Sequence, residues 1–254
     1  MNAAPPALHI EGAVATITLR RPRQANRLTP DDVGVLLEHL TTVNAASQVL
    51  VLRFMAVGRY FCSVYDVASL GGKNGARGSL YFGDAMDVLE RVRPVTIAVI
   101  QGGVYGGATD LCLACDFRIG VETADMFMPP VRLGLHIYPG AMQRYVSRLG
   151  LNVAKRLLLT AKTIDARTML DWGVLTHLVA PDALQEATQT LTDTLTGMAP
   201  LALLGMKRSL VDLACGEWDT ERVCAEVVST EQSHDLHEGV QAWKERRAPR
   251  FSGK

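Results

Sequence analysis

The sequence predicts an α/β protein in which parallel strands and helices stack in layers. From residue 49 the chain reads strand, loop, helix, strand, glycine turn, helix, strand, the order that parallel strands with helical crossovers produce. The segments "VLVLRF" and "VTIAVI" are apolar almost throughout, as strands covered on both faces are. A chain of 254 residues, 48% hydrophobic and 20% charged, can bury a core of that kind.

Taken in order, "LHIEGAVATITLRRP" holds two alternating runs around Gly12 and predicts a hairpin. "LTPDDVGVLLEHLTTVNAA" places Val33, Leu36, Leu37, Leu40 and Val43 on one helical face, with Thr29 as N-cap and Pro30 in the first turn. A buried strand follows, ending at Phe54. The glycine-rich, polar stretch "GGKNGARGSL", residues 71–80, predicts a mobile loop or lid. Helix "YFGDAMDVLERV" and strand "VTIAVI" lead into the glycine stretch "GGVYGGATDL". Beyond about residue 139 helical patterns dominate, and only "LTHLVA" near residue 177 reads as extended. The division expected is 1–195 for the layered core and 196–254 for a C-terminal helical region that serves oligomerisation.

Lys plus Arg balance Asp plus Glu at 26 each, so no net charge favours nucleic acid or an anionic membrane surface. The acidic helix start at Asp31 and Asp32 also argues against nucleic acid. No segment resembles a signal peptide or a membrane span, and the five cysteines are an odd number, so a cytoplasmic protein with reduced thiols is expected. Cys112 and Cys115 share a C-x-x-C spacing inside the apolar run "LCLACDF". With no second ligand pair, they read as packing residues rather than as a metal site.

Four glycines between residues 102 and 107 let backbone approach a ligand closely and leave the first N–H groups of the next helix open to negative charge. The stretch has neither the Gly-Lys-Ser/Thr of a P-loop nor the spacing of a dinucleotide fingerprint. Two readings stay open from the glycines alone: an oxyanion site or a tight packing turn.

"IAVIQGGVYGGATDLCLACDFRI" resembles the core of the crotonase (enoyl-CoA hydratase/isomerase) superfamily. So, in matching order, do "RPRQANRLTP", "RYFCSVYDVASL", "PPVRLGLHIYPGAMQR" and "EGVQAWKERRAPRFSGK". The resemblance implies a β/α spiral of stacked ββα turns with a C-terminal helical trimerisation region, assembled as a trimer or a dimer of trimers. It implies an acyl-CoA substrate whose thioester oxygen takes hydrogen bonds from the backbone of Tyr65 and Gly107, and no cofactor besides that coenzyme A. Carried over by position, Cys62, Val64, Asp66, Val67, Gly106 and Pro130 line the substrate, while Trp243 and Arg246 match contacts to coenzyme A across a subunit boundary. Val64 stands where the family usually has Gly.

Family members that hydrate a double bond use two glutamates. The first matches Asp110. The second falls on Pro130, or on Val131 one place along, and from Met126 through Ile164 there is no Asp or Glu. A one-carboxylate reaction on an enolate is therefore expected, with His136 or Tyr138 as the further polar group. The segments "GGVYGGATDL" and "MPPVRLGL" also resemble methylmalonyl-CoA decarboxylase relatives, whose tyrosine position falls on Ile137 rather than Tyr138. A catalytically silent CoA-thioester-binding protein is the remaining alternative.

Overall fold

The computed structural model describes residues 4–63 and 75–254, with the backbone alone for 75–80. A hairpin opens the chain: β1 (Ala4–Glu11) pairs antiparallel with β2 (Val14–Arg20) around Gly12, whose φ of 55° is left-handed. Helix α1 (Pro30–Ala45) starts where expected. The Thr29 side chain accepts from the Asp32 N–H and Asp32 accepts from the Thr29 N–H, a reciprocal cap worth about 1 kcal/mol. Asp32 is buried and also takes a two-pronged contact from Arg21, at 2.9 Å to each oxygen.

Three successive turns of chain then repeat one pattern. β3 (Val51–Ala56), β4 (Cys62–Ser63) and α2 (Gly75–Glu90) form the first, and β5 (Val95–Ile100), β6 (Val104–Tyr105) and α3 (Gly107–Ala114) the second. β7 (Phe117–Val121) and β8 (Asp125–Phe127) begin the third, which runs through a 3-10 turn at Pro130–Leu133 into α4 (Pro139–Thr160). In each turn the first strand joins one sheet and the second strand another. The larger sheet has the order β1-β2-β3-β5-β7-β10, parallel from β2 onward, and closes with β10 (His177–Val179). The smaller has the order β4-β6-β8-β9, where β9 is Ile164–Asp165. This is the spiral of stacked ββα turns.

The period of two along a strand explains the unbroken apolar runs. Leu52, Phe54, Ala98 and Ile100 face a core shared with α1, α2, α3 and α4. Val51, Val95, Ile97 and Val99 face the opposite way, against α6 (Leu184–Thr196) and α7 (Pro200–Ala214). α5 (Ala166–Asp171) links β9 toward β10, and α8 (Thr220–Glu231) and α9 (His234–Glu245) complete the C-terminal region.

Two expectations need correction. Residues 75–80 are not loop: α2 begins at Gly75, so the helix extends back through half of the glycine-rich stretch. Glycine costs a helix only about 1 kcal/mol relative to alanine, and Ala76, Arg77 and Leu80 are good helix formers joined to a turn already packed. Residues 71–74 lie outside the described residues. The strand read as "VLVLRF" starts at Val51 rather than Val49, because Val49 and Leu50 bond back to turns at Ala46 and Ala13.

The four glycines do different work. A methyl at Gly102 would sit 2.0 Å from the Arg59 carbonyl oxygen, and one at Gly103 would sit 2.2 Å from the Tyr105 hydroxyl. Gly106 has a φ of 57° and a ψ of −129°, which L side chains avoid. Gly102→Ala should therefore destabilise the fold by about 3 kcal/mol, read as a lowered midpoint in urea unfolding, because backbone must move to admit it. Gly216→Ala, with a left-handed φ but open space, should cost about 1 kcal/mol.

Candidate active site

α3 is short and apolar on all sides, with every residue from Ala108 to Ala114 buried. Such a helix belongs inside a core, and the one charge it takes inside is Asp110. Gly106 turns the chain into it, held by its N–H to the Phe127 carbonyl at 2.9 Å, and Thr109 bonds back to the Gly106 oxygen through both N–H and hydroxyl. The Thr109 hydroxyl also meets the Tyr145 hydroxyl. Gly107 is the first residue of α3, so its N–H has no acceptor within the helix. The Phe82 ring lies against it, 3.0 Å from where a Cβ would stand.

One helical turn later, Asp110 is wholly buried and gripped from α4. Arg144 donates from Nε to Oδ1 and from Nη2 to Oδ2, both at 2.8 Å, and the Tyr138 hydroxyl donates to Oδ2 at 2.6 Å. Arg144 is itself only 1% exposed. Its remaining nitrogen, Nη1, reaches Asp87 at 2.6 Å and Glu90 at 3.0 Å on α2, and Glu90 takes a second cation from Arg148 at 3.1 Å. Burial opposes the Arg144 charge, but its bonds to Asp110 and Asp87 and the charge of Glu90 outweigh that and raise its pKa. Burial first, and then the Asp110 charge, push the Tyr138 phenol well above the ordinary tyrosine value, so it stays protonated.

The structure brings Asp110, Gly107 and Tyr138 together. The Tyr138 ring packs edge-on to Phe82, with centroids 6.2 Å apart, and a Cβ on Gly83 would meet it at 2.6 Å. His136 is placed differently: it is exposed and its Nδ1 lies 2.7 Å from the Ile137 carbonyl. Pro130 opens the 3-10 turn beside exposed Val131. Cys62 is buried with its thiol on the Asn26 carbonyl at 3.1 Å, and burial pushes it up to about 12. Cys112 and Cys115 are buried in and just after α3. Trp243, 86% exposed, and Arg246 lie at the end of α9, and the described contacts do not join them to Asp110. Val64, Tyr65, Asp66 and Val67 lie outside the described residues.

Sequence reasoning missed Arg144, Asp87 and Glu90. Their signal was a spacing: Asp87 and Glu90 stand three apart on one predicted helix, and Arg144 and Arg148 four apart on another, so each pair shares a helical face. Replacing Arg144 by Met should cost about 3–5 kcal/mol in urea unfolding, because it strands buried carboxylates. Arg167→Met, which removes the exposed pair with Asp171 at 3.1 Å, should cost under about 1 kcal/mol.

Comparison with known proteins shows the family. The enoyl-CoA hydratase/isomerase family profile matches residues 9–254. The chain is 33% identical to the enoyl-CoA isomerase/hydratase fer4 of Mycosarcoma maydis, over 82% of this chain and 77% of that one. It is 28% identical to the methylmalonyl-CoA decarboxylase of Escherichia coli (strain K12), over 94% and 95%. The crystal structure of the enoyl-CoA hydratase from Bacillus anthracis superposes with a TM-score of 0.88 at 28% identity, covering 99% of this chain and all of that one. With the spiral of strands and the profile match spanning nearly its whole length, the chain belongs to the enoyl-CoA hydratase/isomerase family of acyl-CoA enzymes.

Proposed function

We propose that this protein transforms an acyl-CoA through a thioester enolate. Its nearest description is enoyl-CoA hydratase/isomerase activity, with Asp110 as the sole matched catalytic carboxylate. The observation that carries the reading is the hydrogen bond from Tyr138 to the buried Asp110, one helical turn from the open N–H of Gly107. Removing a proton from C2 of a 3-enoyl-CoA moves charge onto the thioester oxygen, where the Gly107 N–H would hold it, with Tyr65 as the second donor. The proton then returns to C4. A donor of this kind is worth roughly 3 kcal/mol of barrier. Asp110 has about four lone-pair directions, and Arg144 and Tyr138 fill three, which leaves one for a proton in transit.

Decarboxylation is the second reading. It is favoured by the absence of Asp and Glu from Met126 to Ile164 and by the Escherichia coli decarboxylase relative. There the C–CO2 bond breaks, its electron pair forms a thioester enolate held on the same oxygen, and one proton is delivered to C2. Neither reading invokes a cofactor beyond the coenzyme A of the substrate.

The core of residues 1–195 would hold the acyl group, and residues 196–254 would serve assembly. α7 exposes Met206, Leu210 and Leu213 at helical spacing, which supports a homotrimer or a dimer of trimers in which Trp243 and Arg246 reach a neighbour's coenzyme A. Every described cysteine is a free thiol, in keeping with a cytoplasmic setting, and none of the described helices is long and apolar enough to cross a membrane.

Product analysis with crotonyl-CoA, a 3-enoyl-CoA and methylmalonyl-CoA in heavy water tests the reading. Hydration or double-bond migration should fall by about 10²- to 10⁴-fold in Asp110→Asn. Gly107→Pro, which has no N–H, should abolish turnover while keeping native circular dichroism. Turnover of methylmalonyl-CoA alone would select decarboxylation, and full activity in a folded Gly107→Pro would remove the oxyanion assignment.

A further inference from the structure

The Asp110 cluster has a fixed hydrogen-bond direction. A guanidinium has only donors, and a carboxylate facing it has only acceptors. With Arg144 on both oxygens of Asp110, the Tyr138 hydroxyl spends its single proton on Oδ2 at 2.6 Å. It has only lone pairs left for anything else. Phe82 packs against the ring and Gly83 leaves just the room the ring occupies, which holds the phenol oxygen beside Asp110.

The charges around it point the same way. Arg144 and Arg148 face Asp87, Glu90 and Asp110, so carboxylates rather than a free cation stand behind Tyr138. Asp110, the carboxylate that Tyr138 touches, is buried, where water screens little of its charge. A second carboxylate brought to Tyr138 would meet its lone pairs and the nearby Asp110 carboxylate, with the hydroxyl proton already taken. A hydroxyl or a water would instead donate to the Tyr138 oxygen.

We propose that Arg144, anchored by Asp87 and Glu90 and acting through Asp110, fixes Tyr138 as a hydrogen-bond acceptor. The site thereby selects acyl groups that bring a donor and discriminates against those that carry a carboxylate at the reacting end. Arg144 is a positioning residue here and Tyr138 the specificity determinant. The inference rests on the acyl-CoA reading above and narrows it, because it sets a free-energy penalty against binding a dicarboxylic acyl group.

Titration calorimetry of the full chain with butyryl-CoA, 3-hydroxybutyryl-CoA and succinyl-CoA separates the two. Butyryl and succinyl groups have the same carbon count and differ in a terminal methyl against a carboxylate. The wild type should bind succinyl-CoA about tenfold or more weakly than butyryl-CoA, and 3-hydroxybutyryl-CoA more tightly than butyryl-CoA. Asp110→Asn, which replaces the anion that holds the Tyr138 proton by a neutral amide, should shrink the succinyl penalty at least severalfold. Tyr138→Phe, which keeps the ring and the Asp110 charge, should abolish the hydroxyl preference and retain the succinyl penalty. A merely structural role would scale all three affinities alike in each variant. Equal binding of butyryl-CoA and succinyl-CoA by the wild type, or an unchanged ratio in a folded Asp110→Asn, would overturn this inference alone. Binding of none of the three would overturn the acyl-CoA reading and this inference with it.

Discussion

A buried arginine is what the rest of this molecule is arranged around. Arg144 carries its charge where water does not reach, and desolvating such an ion costs several kcal/mol before any contact is made. Asp110 from α3 and Asp87 and Glu90 from α2 offset that cost, while Arg144 itself comes from α4. No two of the three helices suffice. The ion pair is thus a condition on tertiary structure: the helices must converge at one depth and one rotation, or a charge is left without a partner. The convergence that satisfies Arg144 also sets Tyr138 on Asp110 and Phe82 on Gly107.

The sheets make that convergence possible. Strands that alternate between two apolar faces let the larger sheet support α1 through α4 on one side and α6 and α7 on the other. The smaller sheet sets the end of each ββα turn: β6 pairs in parallel with β4 and β8, which fixes Tyr105 opposite Phe127 and hands Gly106 to the start of α3. Close packing at Gly102 and Gly103 keeps this short link from drifting. The packing-turn reading of the glycines therefore has its place at 102 and 103, just upstream of the helix start at 107.

Elements with a repeating pattern were legible in the sequence. The hairpin around Gly12, the Thr29 cap and the apolar face of α1, the strand at 95–100 and the extended segment near residue 177 all stand where periodicity and capping chemistry put them. β4, β6 and β9 span two residues each, too few to display any period, so the second sheet could not be read. The start of α2 was obscured because glycine lowers helix propensity without forbidding a helix. Asp110 and Tyr138 were legible as chemistry, yet their hydrogen bond joins residues 28 apart, and Arg144 meets Glu90 across 54. No local signal encodes contacts of that range. His136 and Tyr138 both stand just before the helix read from Pro139, and only the turn into α4 separates an exposed ring from a partly buried one.

Tyr138 and Arg144 grip the same carboxylate from one end of one helix, and this has a consequence for how the chain can diverge. One residue inserted between them would rotate Arg144 by roughly 100° about the axis of α4 and swing its guanidinium off Asp110. The stretch 138–144 is therefore locked in length. The exposed turn at 131–136 just before it carries no such phase requirement. A longer or shorter turn there would reshape the rim of the site without rotating the charged anchor behind it.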